Sequence, residues 1–598
     1  MDSKMSKQKQ HLQALRAQLS LYRLDGLVVP RFDEHQGEYC ANHDERLAYA
    51  TGFTGSAGVA LIMRDQAVIF VDGRYQVQVR NQVDMSAFTV EHFFNNPLKS
   101  WLRNHVKAGQ RIGFNAMLLP PLWEQDCATA VQAAGGVWVA MTEDLVDGIW
   151  GDQPEKPLGQ IMAFPLQSSG ESVADKKIRL AQALEVAGAD YLLEAQPDNI
   201  AWFLNVRGRD VACNPMPHSF MIAGRDGSVQ WLVDRRKLPN DLSGFELDGI
   251  TIAEPDSLLN RIGQISKGSV ALIDAGFAPS AFVYAVEQAG GQVVLKRSPL
   301  TDIKALKNPV ELEGFRAAHR QDGLAWIRFL AWLDTEGRQR AQSGNPVDER
   351  EAEEKILSFR QLGGDFVEPS FRTISAAGAN AAMCHYTASE SSNAPILSDN
   401  VYLLDSGGQY LTGTTDATRT TAFGCLSDEV RDAYTAVLKG LILMISTRFP
   451  QGTQGHHLDA LARRPLWAMG LDYDHGTGHG VGHFLSVHEQ PQRFDKRINE
   501  VSLRAGMVTT IEPGYYKADA YGMRLENQVE IVDAGSGFMR FESLTLVPLD
   551  MRLANLAALN SEEVHWINCY HQRVLSEMSR HLEGEVLEWL RVRCAVLD

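Results

Sequence analysis

Two paired stretches decide how this chain reads: Val401-Tyr-Leu-Leu-Asp405 with Thr414-Thr-Asp-Ala-Thr-Arg-Thr420, and Val508-Thr-Thr-Ile-Glu512 with Met523-Arg-Leu-Glu-Asn-Gln-Val-Glu-Ile531. Each pair opens with a buried-strand pattern that ends in an acid. Each then meets a breaker, Ser-Gly-Gly after Asp405 and Pro513-Gly514 after Glu512, and returns as a β-prone run. Two hairpins are expected. One sets Asp405 across from Asp416, eleven residues on, and the other presents Glu512 and Glu526, fourteen apart. Between them lies His475-Gly-Thr-Gly-His-Gly-Val-Gly482, whose glycines let the backbone bend tightly and keep bulk away from His479.

Four carboxylates brought together without cations repel one another and hold their protons more tightly. Two divalent ions would balance the four charges. A set of carboxylates with one imidazole favours Mn2+, with Co2+, Fe2+ or Zn2+ as substitutes, over a cysteine-type zinc site. The expected metal ligands are therefore Asp405, Asp416, His479, Glu512 and Glu526, with His385, His475 and His488 around them in sequence. Arg524, two residues before Glu526, would face the same side of its strand and hold a bridging carboxylate in place. His483, Asp474 and Glu489 read as structural, and His456-His457 as a helix opening at the surface.

The rest of the composition narrows the class. With 598 residues the chain is too long for one core. Its net charge of −17 argues against a nucleic-acid binder, which needs a basic footprint. The seven cysteines are scattered, with no CxxC, which suits free thiols in a reducing compartment. The N-terminal MDSKMSKQKQHLQALRAQL has no apolar leader core, and Ala436–Ile445 is too short to span a membrane. A cytoplasmic protein without membrane attachment is the expectation.

Ahead of the acid-bearing strands, the chain alternates strand and helix patterns, which indicates α/β organisation. A helix is expected near 12–23, a strand over Asp25–Pro30, and a linker at Gly151-Asp-Gln-Pro-Glu-Lys-Pro157. A second domain then starts in a similar way. Leu180–Leu184 echoes Leu15–Leu19, Asp190–Leu193 echoes Asp25–Val28, and Ile200–Gly208 echoes Leu47–Gly55. Pro309 opens a third segment as the first turn of a helix running to about Trp332. Expected boundaries are 1–155, 156–304 and 305–598. The last part ends in helices near Ser561–Leu582 and Glu583–Arg593, whose Trp566, Tyr570 and Trp589 suit a core or a subunit contact.

Leu404-Asp-Ser-Gly-Gly-Gln-Tyr410, Gly413–Arg419, His475–Gly482, Val487-His-Glu489, Ile511-Glu-Pro-Gly514 and Arg524-Leu-Glu-Asn527 resemble the aminopeptidase P family. Gly52–Gly58, Asp72-Gly-Arg-Tyr75 and Asn205-Val-Arg-Gly208 extend the likeness to its long, three-domain, cytosolic type. The resemblance implies two related creatinase/prolidase-like N-terminal α/β domains before a C-terminal pita-bread metallopeptidase domain, with the leading domains covering the mouth of the site. It implies that Asp405 holds one metal, that Asp416 and Glu526 bridge the pair, and that His479 and Glu512 complete the second. Hydroxide held between the ions would attack the carbonyl before proline, with Glu512 the partner in proton transfer. His385 and His488 would steady the tetrahedral species and deliver a proton to the proline nitrogen. Together with His475 and Arg524 they would form the substrate pocket. The implied function is release of the first residue from Xaa-Pro peptides by a homodimer. A prolidase-like dipeptidase and a non-catalytic pita-bread binding protein are the alternatives.

Overall fold

The computed structural model describes residues 2–424 and 426–598, with side chains from Lys7 onward, so Cys425 lies outside the described residues. Two compact units result, one running up to Leu166 and over Glu171–Thr301, the other made of Gln167–Gly170 and Asp302–Asp598.

The first unit holds two six-stranded sheets. The first comprises β1 (Gly26–Pro30), β2 (Val59–Met63), β3 (Ala67–Val71), β4 (Thr89–His92), β5 (Arg111–Asn115) and β6 (Val137–Met141), in the spatial order β4-β3-β2-β1-β5-β6. The second comprises β7 (Tyr191–Glu194), β8 (Phe220–Gly224), β9 (Val229–Leu232), β10 (Ile250–Ala253), β11 (Val270–Asp274) and β12 (Gln292–Lys296), in the order β10-β9-β8-β7-β11-β12. The orders match strand for strand. So do the directions: an antiparallel centre (β1/β2/β3, β7/β8/β9) is flanked by parallel additions. The three sequence echoes fall on equivalent elements, namely the helices Asp2–Leu21 and Val173–Ala187, the strands β1 and β7, and the helices Arg46–Thr51 and Pro197–Phe203.

The first helix starts earlier than its apolar spacing predicts, because Lys and Gln extend it as good helix formers. Leu12, Leu15 and Leu19, at helical spacing, are the residues it buries. It stops before Arg23, whose φ of +54° cannot continue a helix.

In the second unit, Asn308 caps the helix Pro309–Trp332. Its side chain accepts from Val310 and Glu311 N–H, while Glu311 reaches back to the Asn308 N–H. Ser427 caps Asp428–Ile445, and His457 accepts from the Gln454 N–H at the start of Gly455–Trp467. The C-terminal helix Ser561–Met578 buries Ile567, Tyr570, Val574 and Met578 in the same core as Leu441, Val529 and Phe541. Tyr570 is therefore core, and its hydroxyl bonds the Arg419 guanidinium. Among the described residues no helix is long and apolar enough to cross a membrane, and Cys40, Cys127, Cys213, Cys384, Cys569 and Cys594 form no disulfide with one another.

Two sheets carry the acids. β13 (Ile374–Ala377), β14 (Val401–Asp405) and β15 (Thr418–Ala422) form one. β16 (Arg448–Pro450), β17 (Gly478–Gly480), β18 (Glu489–Phe494), β19 (Val508–Ile511), β20 (Asn527–Gly535) and β21 (Phe538–Ser543) form the other, in the order β16-β21-β20-β19-β17-β18.

Candidate metal centre

Both expected hairpins form, and both are interrupted at the acid on the return strand. β14 pairs with β15 with Asp405 opposite Thr418, and β19 pairs with β20 with Ile511 opposite Asn527. Asp416 lies in the irregular stretch just before β15. Glu526 lies just before β20, so the continuous strand expected over Met523–Ile531 does not exist. Tyr521–Arg524 pairs instead with Gly514–Lys517, in a separate two-stranded sheet. The break at Glu526 is held by cross-links to the other hairpin: its N–H donates to the Thr418 carbonyl, and its own carbonyl accepts from Arg419 at 2.6 Å. Leaving the ladder at this point frees each acid from strict alternation and turns it inward.

His479 sits on β17, between β19 and β18. The surrounding glycines serve close packing rather than a bend. None of Gly476, Gly478, Gly480 and Gly482 has positive φ. A methyl at Gly478 would meet the Thr510 carbonyl at 2.0 Å, and one at Gly480 the Glu489 carbonyl at 2.4 Å. Nδ1 of His479 lies 2.9 Å from the Gly480 carbonyl. A carbonyl can only accept, so Nδ1 carries the proton and the Nε2 lone pair turns to the acids, 3.5 Å from Asp416 and 3.7 Å from Glu512.

Ligand atoms of Asp416, His479 and Glu526 lie within 4.8 Å of one another. Burial pushes the Asp416 carboxyl well above its ordinary value, and Asp405 and Glu512 push it further. Glu526 is raised likewise, by burial first and then by Asp416 and Asp405, although Arg524 and the Thr418 hydroxyl oppose this. Asp405 gives one oxygen to the Arg524 guanidinium, while its Oδ1 is buried with no hydrogen-bond partner. An orphaned carboxylate oxygen beside acids short of cations fits a bound divalent ion, and the donor set, carboxylates with one imidazole, fits oxygen-preferring metals.

Arg524 is buried and pairs with Asp405. It reaches Glu526 only through Thr418, whose hydroxyl accepts from its Nε at 3.2 Å and donates to Glu526 at 2.8 Å. Tyr516, which sequence reasoning passed over, accepts from Arg524 and lies 2.9 Å from His475 Nε2. His475 Nδ1 donates to the Gly476 carbonyl, so Nε2 must accept from the tyrosine. Burial holds the Tyr516 hydroxyl well above its usual value, and Arg524 opposes this without reversing it, so it stays a neutral donor. Nothing in the sequence marked this tyrosine beyond its place just after Pro513-Gly514. His488 packs edge-on against His479 at 4.3 Å. His385 is half-buried in a turn and follows Cys384, whose carbonyl accepts from Arg524 at 3.4 Å. Glu489, beside His488, is buried between Lys304, at 2.9 Å, and Lys307.

The Metallopeptidase family M24 profile matches residues 313–533, and its C-terminal region matches 537–597. The Creatinase/Prolidase N-terminal domain matches twice, at 11–140 and 152–311. A Laccaria bicolor protein named "Probable Xaa-Pro aminopeptidase P" is 36% identical, covering 98% of this chain and 93% of its own length. The chain belongs to the aminopeptidase P family of M24 metallopeptidases. Within that family, Aminopeptidase P1 of Lotus japonicus is 35% identical over 97% of this chain and 98% of its own. The solved X-prolyl aminopeptidase of Caenorhabditis elegans, described as a cytosolic enzyme with a di-nuclear active site, superposes with a TM-score of 0.94 at 31% identity, covering 99% of this chain and all of that one. The aminopeptidase P likeness therefore spans both sheets of the first unit as well as the acids.

Proposed function

We infer that this chain is a metal-dependent exopeptidase that releases the N-terminal residue from peptides with proline second. The observation that carries this is the gathering of five ligand-type side chains from two interrupted hairpins and β17, in a chain related to aminopeptidase P over nearly its whole length. A purely binding role has no comparable support, since no ligand position is lost, and prolidase activity has none because the relatives that match over nearly the whole chain are named aminopeptidases. The three parts 1–155, 156–304 and 305–598 remain our division of the chain.

The ligands we assign are Asp405 to one ion, Asp416 and Glu526 as bridges, and His479 with Glu512 to the second. Mn2+ is the proposed metal, on the oxygen-rich donor set. Two such ions would polarise the scissile carbonyl and lower the pKa of a water molecule they share. Glu512, half-buried and 3.7 Å from His479, is assigned the transfer of that water's proton. His488, against His479, and His385 are assigned to the oxyanion and to protonation of the proline nitrogen. His475 is assigned to the proline side of the pocket, its ring orientation set by Tyr516 and the Gly476 carbonyl. Arg524, expected among the substrate contacts, pairs with Asp405 and bonds the Thr418 hydroxyl, and its role is assigned as orienting those two.

The direct test is cleavage of matched Xaa-Pro dipeptides and Xaa-Pro-Yaa tripeptides by protein loaded with Mn2+, Zn2+ or Co2+. Release of the first residue from tripeptides in preference to dipeptides supports the reading, and dipeptide-only cleavage would replace it with a prolidase. Cytoplasmic location is proposed because the Caenorhabditis elegans relative is described as cytosolic. A homodimer now rests on the family resemblance without help from Tyr570, which the fold uses in its own core. Light scattering at twice the 66.2 kDa chain mass would support it.

A further inference from the structure

A second group of ligand-type side chains lies in the first unit, outside the peptidase site. Asp33 stands in the loop after β1, Asp44 ends the short helical turn Asn42–Asp44, and His218 lies just before β8 in the other sheet's half of the unit. Carboxylate oxygens of both acids and a ring nitrogen of His218 all fall within 4.8 Å of one another. The loop is built to present Asp33: its Oδ1 takes the N–H groups of His35 (2.9 Å) and Gly37 (3.0 Å), which fixes the carboxylate plane. The other oxygen, Oδ2, is buried in a residue only 1% exposed and has no hydrogen-bond partner. It points at His218 Nε2, 3.7 Å away, too far for a hydrogen bond. His218 is in turn held from behind, with the His35 ring 4.4 Å away and its own carbonyl on Lys237.

Charge points the same way. Around the group, Arg31 and Arg46 are shared among five carboxylates: Asp33, Asp44, Glu45, Asp144 and Asp147. Arg46 is divided among three of these, with Asp147 the closest at 2.8 Å.

We propose that Asp33, Asp44 and His218 form an additional divalent-cation site, in which Asp33 Oδ2, an Asp44 oxygen and His218 Nε2 take one ion and solvent completes its shell. Two carboxylates with one imidazole suit Mn2+ or Zn2+. The ligands come from both halves of the unit, so the ion acts as a tie between the loop after β1 and the segment entering β8. It is separate from the peptide-cleaving centre, which draws all its ligands from the second unit.

The test uses the full chain, purified with MnCl2 and transferred to metal-free buffer, with Mn2+ counted per chain by plasma mass spectrometry. Asp33→Asn and His218→Ala should each lower the count by one equivalent relative to wild type, whatever the total. A count unchanged in both variants overturns the site. Should either variant misfold by circular dichroism, anomalous diffraction at the Mn edge from wild-type crystals decides. A peak between Asp33, Asp44 and His218 upholds the proposal, and a map without one there overturns it.

Discussion

Two acidic centres in the second unit use similar residues to opposite ends. Asp334, where the long helix gives way to the π-helical turn Leu333–Gly337, is surrounded by Arg338 at 2.8 Å, Arg552 at 2.6 Å, Arg593 and the Trp589 indole N–H. Burial alone would raise its carboxyl. Arg552, the indole and Arg338 more than reverse this and hold it far below the usual carboxylate range. Asp405, Asp416, Glu512 and Glu526 share one guanidinium, Arg524, and Asp416 and Glu526 are pushed upward instead. Where the chain supplies its own cations, an acid ties elements together; where it withholds them, the acids are left for a cation from solution. Glu489 between Lys304 and Lys307 belongs to the first kind, although it sits beside His488.

The widest separation should come from the residues proposed as ligands. Glu526→Gln or His479→Ala should lower kcat/KM on an Xaa-Pro-Yaa peptide by on the order of 10^3-fold or more at saturating Mn2+ while the far-ultraviolet dichroism is kept. Near-wild-type rates would remove these residues from the centre. Metal removal comes next. A carboxyl raised in the folded state destabilises as pH climbs, with no penalty below an unfolded pKa of about 4 and the full penalty above the raised folded value. The difference in Tm between Mn2+-loaded and chelator-stripped protein should therefore widen from acidic to neutral pH. A pH-independent gap would mean that the four acids are compensated from within, as Asp334 is.

Asp334→Ala probes the other side. It should cost about 2–3 kcal/mol, less than the 3–5 of a fully buried pair because Arg338 and Arg552 stay partly hydrated. Urea unfolding measures the loss, and the metal content should not change. Smallest is Tyr516→Phe, which removes a donor from His475 and an acceptor from Arg524 without touching a ligand atom. A drop of about tenfold in kcat/KM, with Mn2+ stoichiometry intact, is expected. An unchanged rate would show that the Arg524–Tyr516–His475 chain does not matter to turnover.

Much of this was legible in the residues. Buried-strand patterns that end in acids marked β14 and β19. Asn308-Pro309 with Glu311 marked a helix start, since capping is local chemistry. The echoes of Leu15–Leu19, Asp25–Val28 and Leu47–Gly55 anticipated two related α/β domains. Other features were misread for reasons that are not local. The run Met523–Ile531 reads as one returning strand, yet it breaks at Glu526, where Thr418 and Arg419, about a hundred residues earlier, take its backbone groups. The glycines around His479 read as allowing a tight bend and keeping bulk away; the bend is absent, and the room they leave is taken by neighbouring carbonyls that come within about 2 Å of where side chains would begin. Arg524, expected beside a bridging carboxylate, bonds Asp405 directly and meets Glu526 through the Thr418 hydroxyl, a link that joins segments about a hundred residues apart.

By itself, then, the sequence determined which side chains could bind metal, their order, and the strands and helices that carry them, because periodicity, caps and charge balance act over a few residues. Tertiary structure alone decided which acids are compensated and which are not. An Asp looks the same in sequence whether three arginines or three other carboxylates converge on it, and that difference depends on contacts between segments far apart in the chain.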